Sequence, residues 1–142
     1  MRTKNSNNPI LLVEDNPIDL DLTLRAFAAK NLSNPIQVAR DGEEALQYLE
    51  RWEQGEPWPV VILLDLNMPK VNGLEVLQKI KSHPDFKAIP VVILTTSSES
   101  SDLKSAYQAG ANSYIIKPVD FEKFLEVANH IDLYWRVLNK PL

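Results

Sequence analysis

The chain has no cysteine. This absence excludes a disulfide framework, a thiolate metal site and a cysteine nucleophile. It also fits a reducing compartment, so we expect the protein to reside in the cytoplasm. The longest apolar runs are only as long as a strand, and residues 1–8 are polar. The sequence therefore predicts no membrane span, no signal peptide and a disordered arm over residues 1–8.

Clusters of basic residues are also missing. No group of Lys or Arg is longer than a dipeptide and the formal net charge is -4 at pH 7, which argues against a nucleic-acid partner. With 142 residues and 44% hydrophobic composition, the chain has the size and apolar content of one ordinary domain. We expect a single domain over residues 9–142 and no second domain.

What the chain does have is a set of short apolar segments that end in polar residues. Asp65 is the clearest case, because it follows an unbroken run of branched aliphatic residues, which is typical of a strand covered on both faces of a parallel sheet. Other predicted strands end at Glu14-Asp15, Thr95 and Lys117. The predicted strands cover residues 10–13, 35–39, 60–64, 90–94 and 113–116.

Helical patterns separate these strands. Asn16 and Pro17 predict a helix start, and an apolar face with Leu20, Leu24 and Phe27 continues to about residue 30. Further helices are predicted around inward positions 45, 46, 49 and 52, over 72–82, over 99–109 and from 121 onward, with a turn at 41–42 and a loop over 51–59. This alternation predicts right-handed crossovers and an open three-layer α/β sandwich with a parallel sheet.

The carboxyl ends of parallel strands meet at one edge of the sheet, where open α/β sheets bind ligands. We therefore expect the carboxylates of Glu14, Asp15 and Asp65 to lie close together, and their mutual repulsion predicts a shared cation. With the backbone carbonyl of Asn67 they form an all-oxygen ligand set that suits Mg²⁺.

A carboxylate in such a site can act on phosphorus. Asp65 would attack and form an acyl phosphate, Lys117 would pair with the phosphoryl oxygens, and the Thr95 hydroxyl would hydrogen-bond one of them. Each residue alone has a plainer interpretation, since an Asp at a strand end is usually a turn former or a helix cap. The hypothesis depends on all of these strand ends supplying residue types that one mechanism needs.

For residues away from this edge of the sheet, the sequence predicts no role in binding a cation or a phosphoryl group. His83 and His130 are expected to be solvated or packing residues, and Trp52 and Trp58 are expected to pack around a loop. The helix over 99–109 offers few large apolar side chains for burial, so we expect it to be weakly held and able to shift.

Over residues 9–130 the sequence resembles the receiver domains of bacterial two-component response regulators. The motifs that carry the resemblance are Leu12-Val13-Glu14-Asp15-Asn16, Leu64-Asp65-Leu66-Asn67-Met68-Pro69, Asn72-Gly73, Leu94-Thr95-Thr96 and Tyr114-Ile115-Ile116-Lys117-Pro118. The resemblance implies a flavodoxin-like (βα)5 fold, doubly wound, with strand order 2-1-3-4-5.

The same resemblance implies roles for individual residues. Asp65 would be the phosphoacceptor, Glu14 and Asp15 the acidic pair, Thr95 the switch hydroxyl, Tyr114 an aromatic switch, and Lys117 the lysine before a cis-proline. Glu14 stands where many members have Asp. The protein would be a signalling switch and not a conventional enzyme, with a sensor histidine kinase as one partner and a downstream protein or phosphotransfer partner as the other.

The loop before Trp58 and the ending Leu133-Tyr134-Trp135-Arg136-Val137-Leu138-Asn139 look more like the small single-domain regulators of cyanobacterial phytochromes. The last helix has more than one apolar face, formed by Ile131, Tyr134, Trp135, Val137 and Leu138. We therefore expect an extended C-terminal helix that forms a symmetric homodimer, and no output domain.

Two alternatives stay open at the level of sequence. One is a phosphorylation-independent interaction module, against which the intact charged set counts, because a scaffold has no need to bury such charge. The other is an aspartyl-phosphate phosphatase similar to the haloacid dehalogenase group. Those enzymes carry a second Asp two residues after the nucleophile, whereas this chain has Asn67 there, which cannot serve as a general acid.

Overall fold

Strands and helices alternate along the chain, as the sequence predicts. The computed structural model describes residues 8–30, 34–66, 68, 71–96, 99–117, 121–122, 125–126 and 128–129. The strands are β1 (Ile10–Val13), β2 (Ile36–Ala39), β3 (Val61–Leu64), β4 (Val91–Thr95) and β5 (Ser113–Ile116). The helices are α1 (Pro17–Ala29), α2 (Gly42–Glu53), α3 (Gly73–Ser82) and α4 (Ser100–Gln108), with a short 3₁₀ helix at Phe86–Ala88. The described residues after position 120 have helical backbone.

The five strands form one parallel sheet in the order β2-β1-β3-β4-β5. This order confirms the predicted doubly wound, flavodoxin-like α/β architecture. Val13 pairs with Leu64, and Leu64 pairs with Ile93, so the central strands end nearly level with one another. The residues that follow these strands therefore leave the sheet at one common edge.

The sheet buries apolar side chains on both faces, which explains the unbroken apolar runs. One face packs Leu11, Ile62 and Ile93 against α2 and α3, and the other packs Leu12 and Leu63 against α1. The central strands are therefore covered on both sides, as the sequence predicts. In the described part of the chain, no helix is long and apolar enough to cross a membrane.

The start of α1 follows the predicted capping pattern. The Asn16 side-chain oxygen accepts hydrogen bonds from the backbone N–H groups of Ile18 (2.9 Å) and Asp19 (3.1 Å), and Pro17 occupies the first turn. The predicted inward residues Leu20 and Phe27 are buried. In α4 only Ala106 is buried, while Leu103 is 37% and Tyr107 49% exposed, so this helix has the small buried surface that the sequence predicts.

Two local predictions were wrong. The predicted loop over 51–59 begins too early, because α2 continues to Glu53. Trp52 lies on the buried face of that helix, with its ring 5.3 Å from that of Phe86, and this packing favours the helix until the chain turns at Gly55 (φ 104°). The predicted turn at 41–42 is instead a helix start, since the Asp41 side chain accepts from the Glu44 N–H at 2.8 Å.

Phe86 is the centre of an aromatic cluster that the sequence did not predict. The Trp58 ring lies 5.0 Å from it in an edge-on arrangement, and the His83 ring stacks on it at 3.8 Å. The packing roles predicted for Trp52, Trp58 and His83 are confirmed. Several predictions lie outside the described residues: the first seven residues of the arm predicted over 1–8, the Asn67 carbonyl, the cis-proline at 118, His130 and the apolar helix end predicted over 131–138.

Candidate functional site

Backbone hydrogen bonds extend the sheet past the strand ends and fix the first residues of the site. The Glu14 N–H donates to the Ala39 carbonyl at 2.9 Å, and the Asp65 N–H donates to the Val13 carbonyl at 3.1 Å. The Lys117 N–H donates to the Thr95 carbonyl at 2.7 Å. These hydrogen bonds fix the backbone of Glu14, Asp65 and Lys117 at one edge of the sheet.

A glycine makes room for the Asp65 backbone. The Gly73 N–H donates to the Leu66 carbonyl at 2.9 Å, and a Cβ atom at position 73 would lie 2.1 Å from the Asp65 carbonyl oxygen. No side chain fits at that distance, so Gly73 lets the first turn of α3 pack directly on the residue that ends β3.

Three carboxylates come together at this edge. Ligand oxygens of Glu14, Asp15 and Asp65 all lie within 4.8 Å of one another. Glu14 and Asp65 are buried, whereas Asp15 is exposed and leaves the cluster open to solvent. Hard carboxylate oxygens in an open arrangement fit a divalent cation that keeps part of its water shell.

The Lys117 ammonium contacts two of these acids, Glu14 and Asp65, and a further one, Asp19. Its Nζ is 2.6 Å from Glu14 Oε1, 3.0 Å from Asp19 Oδ2 and 3.4 Å from Asp65 Oδ2. The Lys117 side chain is only 4% exposed, so these carboxylates replace the water that an ammonium group requires.

Burial and charge set the protonation of this pair. Burial raises the pKa of Glu14 to about 7, although the hydrogen bond and the positive charge of Lys117 act in the opposite direction. Burial opposes the charged form of Lys117, but its hydrogen bonds with Glu14 and Asp19 and the nearby carboxylate charges raise its pKa above the ordinary value. Lys117 is therefore charged at neutral pH, and a metal ion would compete with it and with a proton for Glu14.

Thr95 and Tyr114 lie on the two strands beside this cluster. Thr95 is the last residue of β4, is fully buried and pairs with Ile116. Tyr114 is half-buried on β5, packs against the core on the α3 side of the sheet, and has its ring 6.4 Å from that of Tyr107 on α4. Their predicted switching roles stay predictions.

Asp19 is the residue that the sequence analysis missed. Locally it is only an acidic side chain in the first turn of α1, where a negative charge is favourable. The signal that could have found it is its place in the first turn of a helix that begins directly after Glu14, Asp15 and Asn16. Helical side chains lean toward the N-terminus of their helix, which here is the edge of the sheet that holds the acids.

Comparisons with known proteins agree with this geometry. A family model described as the response regulator receiver domain matches residues 10–129. The probable methanogenesis regulatory protein FilR2 of Methanothrix harundinacea is 46% identical over 132 residues, which are 92% of this chain and 85% of FilR2. Response regulator Rcp1 of Synechocystis is 39% identical over 136 residues, which are 92% of this chain and 91% of Rcp1.

Solved structures are similar over nearly the whole chain. The phosphorylated cyanobacterial phytochrome response regulator RcpA has a TM-score of 0.81 and 37% identity, covering 96% of this chain and 97% of its own. The Mn²⁺-bound form of Rcp1 has a TM-score of 0.79 and 36% identity, covering 90% and 94% of the two chains. A divalent cation thus binds to a relative of the same fold. The chain belongs to the response regulator receiver domain family, whose members accept a phosphoryl group in signalling.

Proposed function

We propose that this chain accepts a phosphoryl group from a sensor histidine kinase onto Asp65 and signals through the resulting change in shape. The observation that carries the proposal is the cluster of Glu14, Asp15 and Asp65 at the sheet edge, with the Lys117 ammonium 3.4 Å from Asp65 Oδ2. The Asp65 carboxylate can attack phosphorus as a nucleophile, and the neighbouring Lys117 ammonium can neutralise charge on the oxygens of the incoming phosphoryl group.

The transfer forms one bond to phosphorus and breaks another, and it requires only a proton from solvent. A carboxylate oxygen of Asp65 forms a bond to phosphorus, and the N–P bond of the kinase phosphohistidine breaks. The electron pair of that bond returns to the imidazole nitrogen, which takes up a proton from solvent. Hydrolysis of the acyl phosphate by water then restores the carboxylate and releases inorganic phosphate.

Mg²⁺ is the cofactor that we propose for this site. Glu14, Asp15 and Asp65 would hold it, with the backbone carbonyl of Asn67 as a further ligand. When bound, the cation neutralises the charge on the phosphoryl oxygens during transfer. Support comes from the all-carboxylate donor set and from the Mn²⁺-bound form of Rcp1.

The signal would leave the site through Thr95 and Tyr114. Phosphorylation replaces the Asp65 carboxylate charge with a phosphoryl group that carries about -1.5 to -2 and three acceptor oxygens. The Thr95 hydroxyl and the Lys117 ammonium are the groups that we expect to turn toward it. A change from 1:99 to 99:1 in a two-state population requires about 5.5 kcal/mol, while one hydrogen bond to a charged group supplies about 1.5–3 kcal/mol. We therefore propose that Tyr114 and the thinly packed helix α4 move together with Thr95.

A phytochrome-type kinase is the partner that we propose first. RcpA is a phytochrome response regulator and is similar over nearly the full length of this chain. FilR2, which is named for regulation of methanogenesis, is also similar over most of it, so a direct phosphotransfer assay with a purified phytochrome kinase is required.

We further propose that residues 131–138, which are rich in apolar side chains, form a homodimer contact. Sedimentation that shows only monomer at micromolar concentration would contradict this.

Phosphorylation itself is tested by incubating the full chain with acetyl phosphate and Mg²⁺ and measuring its intact mass. The wild type should gain the mass of one phosphoryl group, and Asp65→Asn should gain none. Asp21→Asn, which removes an exposed carboxylate paired with Arg25 on α1, is the matched control and should behave as the wild type. An equal mass gain in Asp65→Asn would refute the assignment of the phosphoacceptor.

A further inference from the structure

Asp19 makes a partly buried ion pair with Lys117 that has no role in the phosphoryl transfer proposed above. Its Oδ2 lies 3.0 Å from Lys117 Nζ, and the two side chains are 19% and 4% exposed. The other carboxylates that contact Lys117, Glu14 and Asp65, also belong to the cluster that would hold a cation. Among the residues that the structure describes, Asp19 is the carboxylate partner of Lys117 that lies outside that cluster.

The backbone of Asp19 is held from both sides. Its N–H donates to the Asn16 side-chain oxygen at 3.1 Å, and its carbonyl accepts from the Thr23 hydroxyl at 2.7 Å. Thr23 is fully buried, so the first turn of α1 is anchored both at its cap and in the core. The carboxylate of Asp19 is therefore presented to Lys117 from a rigid support.

The carboxylates that pair with Lys117 would change when a cation or a phosphoryl group is bound at the site. A cation would draw the oxygens of Glu14 and Asp65 toward itself, and an acyl phosphate would remove the charge of the Asp65 carboxylate. An ammonium group that is almost fully buried requires a compensating partner throughout. Asp19 can provide it without giving up a metal contact.

We propose that Asp19 is a positioning residue that holds the Lys117 ammonium beside Asp65 while Glu14 and Asp65 engage the cation and the phosphoryl group. This inference rests on the proposed role of Asp65 as phosphoacceptor. Lys117 touches the reacting group, and Asp19 acts through Lys117. The pair thus ties the first helix to the end of β5 across the site.

The chain provides a matched set of variants. Asp19→Asn keeps the size of the side chain and removes the charge, and Asp19→Glu keeps the charge on a longer stem. Asp21→Asn removes the same charge from the same helix, but its partner is the exposed Arg25 at 2.9 Å. A thermal melt of each variant establishes that it is folded at the temperature of the assays.

Two measurements on the full chain test the role. The first is the ¹⁵N NMR signal of the Lys117 side-chain ammonium without added cation, identified by its absence in Lys117→Arg. In Asp19→Asn this signal should shift and its protons should exchange faster with water, whereas Asp21→Asn should leave it unchanged. The second is the rate of phosphorylation by acetyl phosphate at saturating Mg²⁺. It should fall about tenfold to a hundredfold in Asp19→Asn, as expected for loss of one hydrogen bond between charged groups, and Asp19→Glu should recover part of the loss.

The results separate this inference from the proposed function. If Asp19→Asn matches Asp21→Asn in both measurements, Asp19 does not position Lys117. A shifted ammonium signal with a wild-type rate would also overturn the role, because Lys117 would then work without the contact. Failure of the wild type to be phosphorylated on Asp65 would refute the proposed function, and the NMR comparison would still show whether Asp19 holds Lys117.

Discussion

Replacing Gly73 with Ala should damage the phosphoacceptor without touching its side chain. A Cβ atom at this position would lie 2.1 Å from the Asp65 carbonyl oxygen and 2.6 Å from the Leu66 Cα, so the chain at Asp65 must retreat by roughly 1 Å to reach an ordinary contact. Overpacking of this kind costs about 1–3 kcal/mol, and better helix propensity returns at most about 1 kcal/mol. We therefore expect the melting temperature to fall by several degrees.

The larger effect should be on phosphorylation. A displacement of about 1 Å at a reacting group can slow a reaction by about a hundredfold, so the initial rate with acetyl phosphate and Mg²⁺, measured by intact mass, should drop by at least tenfold. Gly42→Ala is the control, because it also begins a helix and its Cβ would meet the Val71 carbonyl at 1.9 Å. It should lose stability but keep most of the rate. A folded Gly73→Ala protein with the wild-type rate would refute this reasoning.

Three other substitutions follow from contacts in the structure. Lys117→Met should lower the free energy of unfolding by about 3 kcal/mol, as for other buried charges that lose a partner, and added Mg²⁺ should restore part of the loss in calorimetry by replacing the ammonium next to Glu14. Asn16→Ala removes the acceptor of two helix N–H groups and should cost about 1 kcal/mol in urea unfolding. Phe86→Leu should cost about 1–2 kcal/mol and alter Trp fluorescence, because Trp52 and Trp58 both contact that ring, while the phosphorylation rate stays unchanged.

The fold was predictable because the sequence marks where each central strand ends. Each central strand is apolar on both faces and stops at a residue that cannot be buried without a partner, so the apolar boundary is also the boundary of the sheet. The carboxylates after β1 and β3 follow directly from this rule, since parallel strands share one edge. Lys117 follows β5, a partly buried edge strand, and its place at this edge depends on the parallel pairing of β5 with β4.

The parts that sequence reasoning missed depend on contacts between distant segments. The C-terminal turn of α2 is fixed by Trp52 packing on Phe86. The helical spacing of Leu49 and Trp52 indicates that turn, but the nearby Pro57 and Pro59 favour a loop, and only the contact with Phe86 decides between them. Asp19 was missed for a similar reason. Its local context as a first-turn acid is complete without Lys117, which comes from the far end of the chain, so only the folded structure reveals their contact.

The charge balance of the site predicts that phosphorylation requires a divalent cation. Among the described residues, the Lys117 ammonium contacts Glu14, Asp19 and Asp65, and Asp15 lies beside two of these carboxylates. An anionic phosphodonor that approaches this excess of negative charge is repelled. Chelation of divalent cations with EDTA should therefore abolish the mass gain from acetyl phosphate, and the rate should rise again with added Mg²⁺ until it saturates. Glu14→Gln should shift that saturation to higher Mg²⁺, because it removes one ligand, whereas Glu53→Gln at the exposed C-terminal end of α2 should not. Full phosphorylation in EDTA would mean that Lys117 alone offsets these charges, and the carboxylate cluster would then need another explanation.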